Sequence, residues 1–114
     1  MKRLLTAQEF SKLIQTEGFV LKTQCQIEKD FRSCGFNFPE TFTTEVLSQD
    51  DIIFYIENLL KMVLQKNSLT QLLYQIDLPE GVCASILNEP DFSHQISQLI
   101  LRREAYKIYL RSLF

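Results

Sequence analysis

The side chains able to do chemistry are few and scattered. The sole histidine, His94, stands three residues after Asp91, a helical-turn spacing that would let both side chains reach one metal ion. A di-iron carboxylate bundle uses a Glu-x-x-His pair on each of two helices plus further glutamates. The second histidine is missing here, so Asp91 reads more simply as a helix cap and His94 as an exposed first-turn residue. Cys25, Cys34 and Cys83 form no CxxC pair. A zinc site built from them and His94 would draw ligands from distant segments, and the Cys25–Cys34 spacing fits no compact knuckle. The thiols read as buried small hydrophobes, and their odd number suits a reducing compartment. One histidine leaves little scope for a Ser-His or Cys-His pair, and no GxSxG turn is present. Gly18, Gly35 and Gly81 are too far apart for a phosphate-binding loop. The expectation is a protein that is not an enzyme, with no metal and no cofactor.

Three polar residues of the first helical stretch, Glu17, Gln24 and Glu28, fall within its apolar stripe. A carboxylate inside a helical bundle costs several kcal/mol unless it is paired or neutralised. Arg103, close to the apolar arc of the last helix, could supply the partner. The bland reading puts these groups at the stripe's edge, reaching water. The sharper one makes Glu17, Gln24, Glu28 and Arg103 a buried polar network that sets helix register. General acid–base work has no nucleophile or metal to accompany it.

Two further groups are candidates for partner binding. Phe36, Phe38 and Phe42 concentrate around Pro39 in CGFNFPETFTTE. These rings either plug one end of the core or form an exposed aromatic patch of the kind enriched at binding hot spots. Arg103, Lys107 and Arg111 recur every four residues with Arg102 adjacent. They read as a solvated cationic face near a helix C-terminus, or as a docking site for an acidic protein. Four cations on one helix are a small footprint for nucleic acid, with no glycine-turn helix-turn-helix or interleaved aromatic platform in support.

These residues have to be positioned by helices. Thr6 and Glu9 form a capping box ahead of a helix over about Ala7–Ser33, bent or broken near Gly18. A competing period-two pattern over Leu21–Glu28 offers a strand, with only Phe36-Asn37-Phe38 as a nearby partner, and helix is favoured. Ser48 and Asp51 have N-cap and N3 spacing at the head of Asp50–Lys66. The apolar residues of that segment span about 200° of a helical wheel, twice the stripe of a one-sided helix. Ser68 with Gln71, and Asp77 with Glu80, signal short helices over Leu69–Ile76 and Pro79–Leu87. The last helix, about Phe92–Leu113, has an equally wide arc, with Arg103, Glu104, Lys107 and Arg111 on its other side. The central and last helices either cover each other or leave a face for a second copy.

The chain has 114 residues, 46% hydrophobic and 23% charged, with a formal net charge of −2. That suits one globular domain over residues 1–114 and argues against a protein devoted to nucleic acid. The start, MKRLLTAQEF, lacks the apolar core of a signal peptide, and the central segment carries too many charges for a membrane span; a cytoplasmic location is expected. The fold class expected is all-α, a single-domain irregular bundle of five or six helices with long central and C-terminal members. The function expected is a small protein–protein interaction module, an adaptor, regulator or inhibitor, whose partner includes a second copy as one option. The alternatives are a nucleic-acid-binding regulator using the C-terminal basic face and a ligand- or metal-binding bundle.

Overall fold

The computed structural model describes residues 4–86 and 88–113, apart from the side chains of Glu80 and Val82. The basic start at Lys2 and Arg3, the helix end expected at Leu87 and the acid expected of Glu80 lie outside what is described. The described residues are all-α, with no strand among them. Seven helical segments run in order: α1 (Ala7–Leu13), α2 (Phe19–Ser33), α3 (Thr41–Thr44), α4 (Gln49–Gln65), α5 (Leu69–Ile76), α6 (Glu80–Ile86) and α7 (Phe92–Leu113). The one-turn α3 and the separation of α1 from α2 account for the difference from five or six. The radius of gyration is 13.3 Å, close to the value of about 13 Å for a compact chain of this length.

Local signals set most of the boundaries. The Thr6–Glu9 capping box closes in both directions, and Ser48 Oγ accepts the Asp51 N–H at 3.1 Å. Gly18 breaks the first helical stretch. Its φ of 80° is left-handed, a conformation that glycine alone adopts without penalty. The residues with alternating polarity after it are helix, not strand. α2 ends in a Schellman motif around Gly35, whose φ is 88°, with Phe36 N–H bonded to Phe31 O at 3.0 Å and Gly35 N–H to Arg32 O at 2.9 Å.

Two expected caps fail for one reason. α4 also ends in a Schellman motif, with Asn67 as its left-handed residue at φ 55°. Ser68 N–H is bonded back to Val63 O at 3.0 Å, and the Ser68 side chain caps nothing in α5. Asp77, expected to start α6, is instead the left-handed terminus of α5 at φ 66°, its N–H bonded to Leu73 O. Asn and Asp tolerate this region better than other non-glycine residues.

The centre of the molecule is α7, not α4. α7 packs against α1, α2, α4, α5 and α6, and its buried residues face nearly all round: Ile96, Leu99, Ile100, Leu101, Ala105 and Ile108 among the apolar ones. α4 buries Ile52, Ile53, Ile56, Leu59, Leu60 and Val63, an arc of only about 120° at 100° per residue. Its flanks are exposed: Phe54 at 62%, Met62 at 45% and Leu64 at 40%. No helix among the described residues is long and apolar enough to cross a membrane.

The aromatic segment between α2 and α4 belongs to the core. Phe36 and Phe42 are buried. Phe38 is half-buried and lies between Phe31 and Phe42 at ring-centroid distances of 4.9 and 4.0 Å. Tyr55 meets Phe42 edge-on at 5.2 Å. Gln24 ties this irregular backbone down. Fully buried, it donates to Phe42 O at 2.7 Å and Glu45 O at 2.9 Å and accepts from Leu47 N–H at 3.0 Å. One side chain thus replaces the partners that a loop's backbone would otherwise find in water. Gln24→Ala is expected to cost about 3 kcal/mol, because it strips three bonds from buried or half-buried backbone groups. Urea denaturation measures this, and a loss below about 1 kcal/mol would show that the segment holds its shape without Gln24.

Candidate functional site

Two features stand together where α2 meets α7: a cluster of buried charges in the seam and an open cleft above it. The restart of the chain at Gly18 rotates α2. Its buried face becomes Phe19, Thr23, Gln24, Gln26, Ile27, Asp30 and Phe31. Leu21 and Cys25, which a continuous helix from Ala7 would direct inward, turn away from the core, with Leu21 half-buried and Cys25 exposed.

In the seam, Lys107 Nζ lies 2.8 Å from Asp30 Oδ2 and 2.6 Å from Glu104 Oε1. Asp30 and Glu104 are 3% and 0% exposed. Asp30 Oδ1 also accepts from Gln26 Nε2 at 3.1 Å and from Gln75 Nε2 of α5 at 3.5 Å. Gln26 Oε1 in turn accepts from Arg111 at 2.6 Å. Beside this cluster, Arg103 donates to Asp77 at 3.1 Å and lies 5.9 Å from the centre of the Tyr106 ring.

The carboxyls divide their roles by environment. Burial pushes Glu104 up to about 9; its hydrogen bond with Asp30 and Asp30's charge push it the same way, while Lys107 opposes them. For Asp30, burial raises the pKa, but hydrogen bonds from Glu104 and Lys107, the Lys107 charge and Gln26 together outweigh it, and the net shift is downward. Apart from the Lys107 ammonium, no donor reaches a Glu104 oxygen. An ionised Glu104 would therefore rest on its contact with the Lys107 ammonium alone. A protonated Glu104 has a hydrogen to give, and Asp30 receives it. At neutral pH the cluster holds Asp30⁻, Lys107⁺ and an uncharged Glu104, so no net charge is buried.

The residues singled out from the sequence are distributed as follows. Gln24 is buried, but it bonds the backbone between Phe42 and Leu47 and takes no part in the seam. Glu17 is exposed and lines the cleft. Glu28 reaches solvent and pairs with Arg32 at 2.8 Å. Arg103 is buried against Asp77. Glu17, Gln24, Glu28 and Arg103 thus form no common network; the seam network is made by Gln26, Asp30, Glu104, Lys107 and Arg111. Periodicity carried a signal for it. Counted from Gly18, Asp30 shares a face with Ile27 and Phe31, and Glu104 with Leu101, Ala105 and Ile108. Arg102 is half-buried and Lys107 is occupied within the seam, so only Arg111 of the four cations is exposed. Asp91 and His94 do not converge: Asp91 accepts from Gln95, and His94 Nδ1 meets Glu57 of α4 at 2.6 Å. No group of three His, Cys, Asp or Glu is placed to hold a metal among the described residues. The cysteines are free. Burial pushes the Cys34 and Cys83 thiols up, with Asp30's charge adding to the effect at Cys34.

The cleft above the seam has a volume of about 710 Å³, within the range of ligand and docking pockets. Thr16–Phe19 close one end, and α2 and the last turns of α7 form the walls. Its apolar lining is Leu21, half-buried, with the buried Phe19 and Ile108, and its cations are Lys22, Lys29 and Arg111. Gln26 and Arg111 belong to both the cleft and the seam. Comparison with protein-family models, curated proteins and solved structures finds no match for this chain.

The proton on Glu104 sets a pH dependence. Its folded pKa lies above its unfolded one, so the folded state binds the extra proton between about 4.5 and about 9. The stability this contributes is complete below pH 4.5 and is lost as pH rises through 9. Glu104→Gln keeps the donor to Asp30 without the ionisation. It is expected to be more stable than the parent by about 3 kcal/mol at pH 7, and by more at pH 9. Lys107→Met is expected to lose about 3–5 kcal/mol at pH 7, since it leaves Asp30 buried without its cation. Chemical denaturation across pH 5–9 measures both. A Glu104→Gln curve parallel to that of the parent would contradict the protonated state.

Proposed function

We propose that this protein is a small, non-catalytic interaction module that docks a segment of a partner protein in the α2–α7 cleft. One observation carries the reading: a cleft of about 710 Å³ on the helix pair joined by the buried seam, lined by half-buried Leu21 and by exposed Lys22, Lys29 and Arg111. A rigid, preformed surface reduces the ordering cost of association. The basic face of the last helix supports a nucleic-acid reading less well, because Arg103 and Lys107 are committed to Asp77, Asp30 and Glu104.

Cys25 lines the cleft and is exposed, which makes it a reporter for whatever binds there. In a Cys34→Ser/Cys83→Ser background, a benzophenone label on Cys25 is expected to cross-link a partner in extract of the native cell. Leu21→Arg, on the outward face of α2, is expected to reduce that cross-link at least tenfold, with an unchanged far-ultraviolet circular dichroism spectrum and melting temperature. Equal cross-linking in the folded Leu21→Arg variant would overturn the docking role of the cleft.

A further inference from the structure

We propose that the segment docked in the α2–α7 cleft is an acidic amphipathic helix, its apolar stripe on Leu21 and its carboxylates on Lys22, Lys29 and Arg111. The inference rests on the docking reading above and adds the chemistry of the occupant. It comes first from charge. The protein carries a net charge of −2, yet three cations and a single acid, Glu17, line the cleft. Lys22 and Lys29 are exposed, and neither ammonium has an acidic partner among the described residues. Arg111 gives one guanidinium nitrogen to Gln26, and the guanidinium fork carries five donors in all. The cations Lys107 and Arg103, which α7 turns inward, are neutralised by Asp30 and Asp77. Those around the cleft are not, so an acidic partner finds complementary charge there.

The spacing then selects a helix. Lys22 and Lys29 are seven residues apart on α2, two turns and about 10.5 Å along the axis. A helix laid along the cleft repeats a side chain on one face over that same distance. An extended strand covers it in about three residues, which puts the two side chains on opposite faces. Leu21, half-buried on α2, offers the apolar contact that the stripe of such a helix would cover. Glu17, at the Gly18 end, favours a partner base at that end and gives the bound helix a direction.

The probe is a short synthetic helical peptide with leucines at i, i+3, i+4 and i+7 and glutamates on both flanks, fluorescently labelled and titrated with the full chain. Its Lys-for-Glu counterpart is the control. The acidic peptide is expected to bind the parent, to weaken roughly tenfold with Lys22→Glu/Lys29→Glu, and to weaken with added salt. The basic peptide is expected to prefer the Lys22→Glu/Lys29→Glu protein, a charge swap that misfolding could not produce. Equal affinity of the parent for the two peptides overturns the proposal. So does displacement of the acidic peptide by an equal concentration of decanoate, which would make a small amphipathic anion the occupant. If the charge swap has no effect while Cys25 cross-linking still depends on Leu21, the docking role stands and the acidic helix falls. If cross-linking is indifferent to Leu21, the docking role itself falls.

Discussion

The position of α2 on α7 depends on one ammonium. Lys107 sits between Asp30 and Glu104, and the rest of the seam follows from that placement. Burying three ionisable groups costs several kcal/mol per charge unless they neutralise one another. One cation balances one anion, and the second carboxyl keeps its proton. Gln26 and Gln75 then fill the remaining acceptor positions of Asp30. An apolar seam of the same volume would equal or exceed it in stability, yet would permit α2 to slide or rotate. The polar seam tolerates little of either, because a shift of one residue would leave Asp30 and Glu104 buried without Lys107.

That constraint makes α7 the hub, although α4 is the more apolar segment. A helix enclosed on nearly all sides must carry its polar residues inside as well, and α7 does so with Ser97, Arg103 and Glu104. Each needs a hydrogen-bond or charge partner. Ser97 bonds back within its own helix, to Ser93 O at 2.7 Å. Arg103 draws Asp77 from the end of α5, and Glu104 and Lys107 draw Asp30 from α2. The left-handed turn at Asp77 therefore ends a helix and also presents a carboxylate to α7. This is a second reason for an aspartate at a position where glycine would relieve the backbone.

Features that depend on adjacent residues were legible from the chain alone. Thr6 with Glu9 and Ser48 with Asp51 cap their helices as their spacing indicates, and the all-α class and the long helices α4 and α7 follow from periodicity. What escaped depends on phase and on long-range partners. Treating Ala7–Ser33 as one helix carried the α1 stripe across Gly18 and assigned Leu21 and Cys25 to the core. The left-handed glycine resets that phase, which moves Asp30 inward and Leu21 outward. Asn67 and Asp77 end helices in a conformation usually left to glycine, so the residues after them resembled starts. Arg103, Glu104 and Lys107 have the look of a solvated stripe because charge usually marks the outside of a helix. Only the helices packed around α7 show that its charged side is interior as well.

The cleft and the seam divide the same charges between them. The cations of α7 that point inward, Arg103 and Lys107, are neutralised by Asp77 and Asp30, acids contributed by other elements. Arg111, one turn beyond Lys107, is at the boundary: it serves Gln26 at the edge of the seam and lines the cleft. Lys22 and Lys29 stand on the exposed flank of α2, about a quarter-turn from Asp30, which the seam holds inward. The basic character of the cleft thus follows from the buried pairing and not from the overall composition, which is acidic. The same rotation of α2 that brings Asp30 to Lys107 leaves Leu21 half-buried at the edge of the cleft those cations line. In this chain a helix with one face built around a buried salt bridge turns its other face to the cleft.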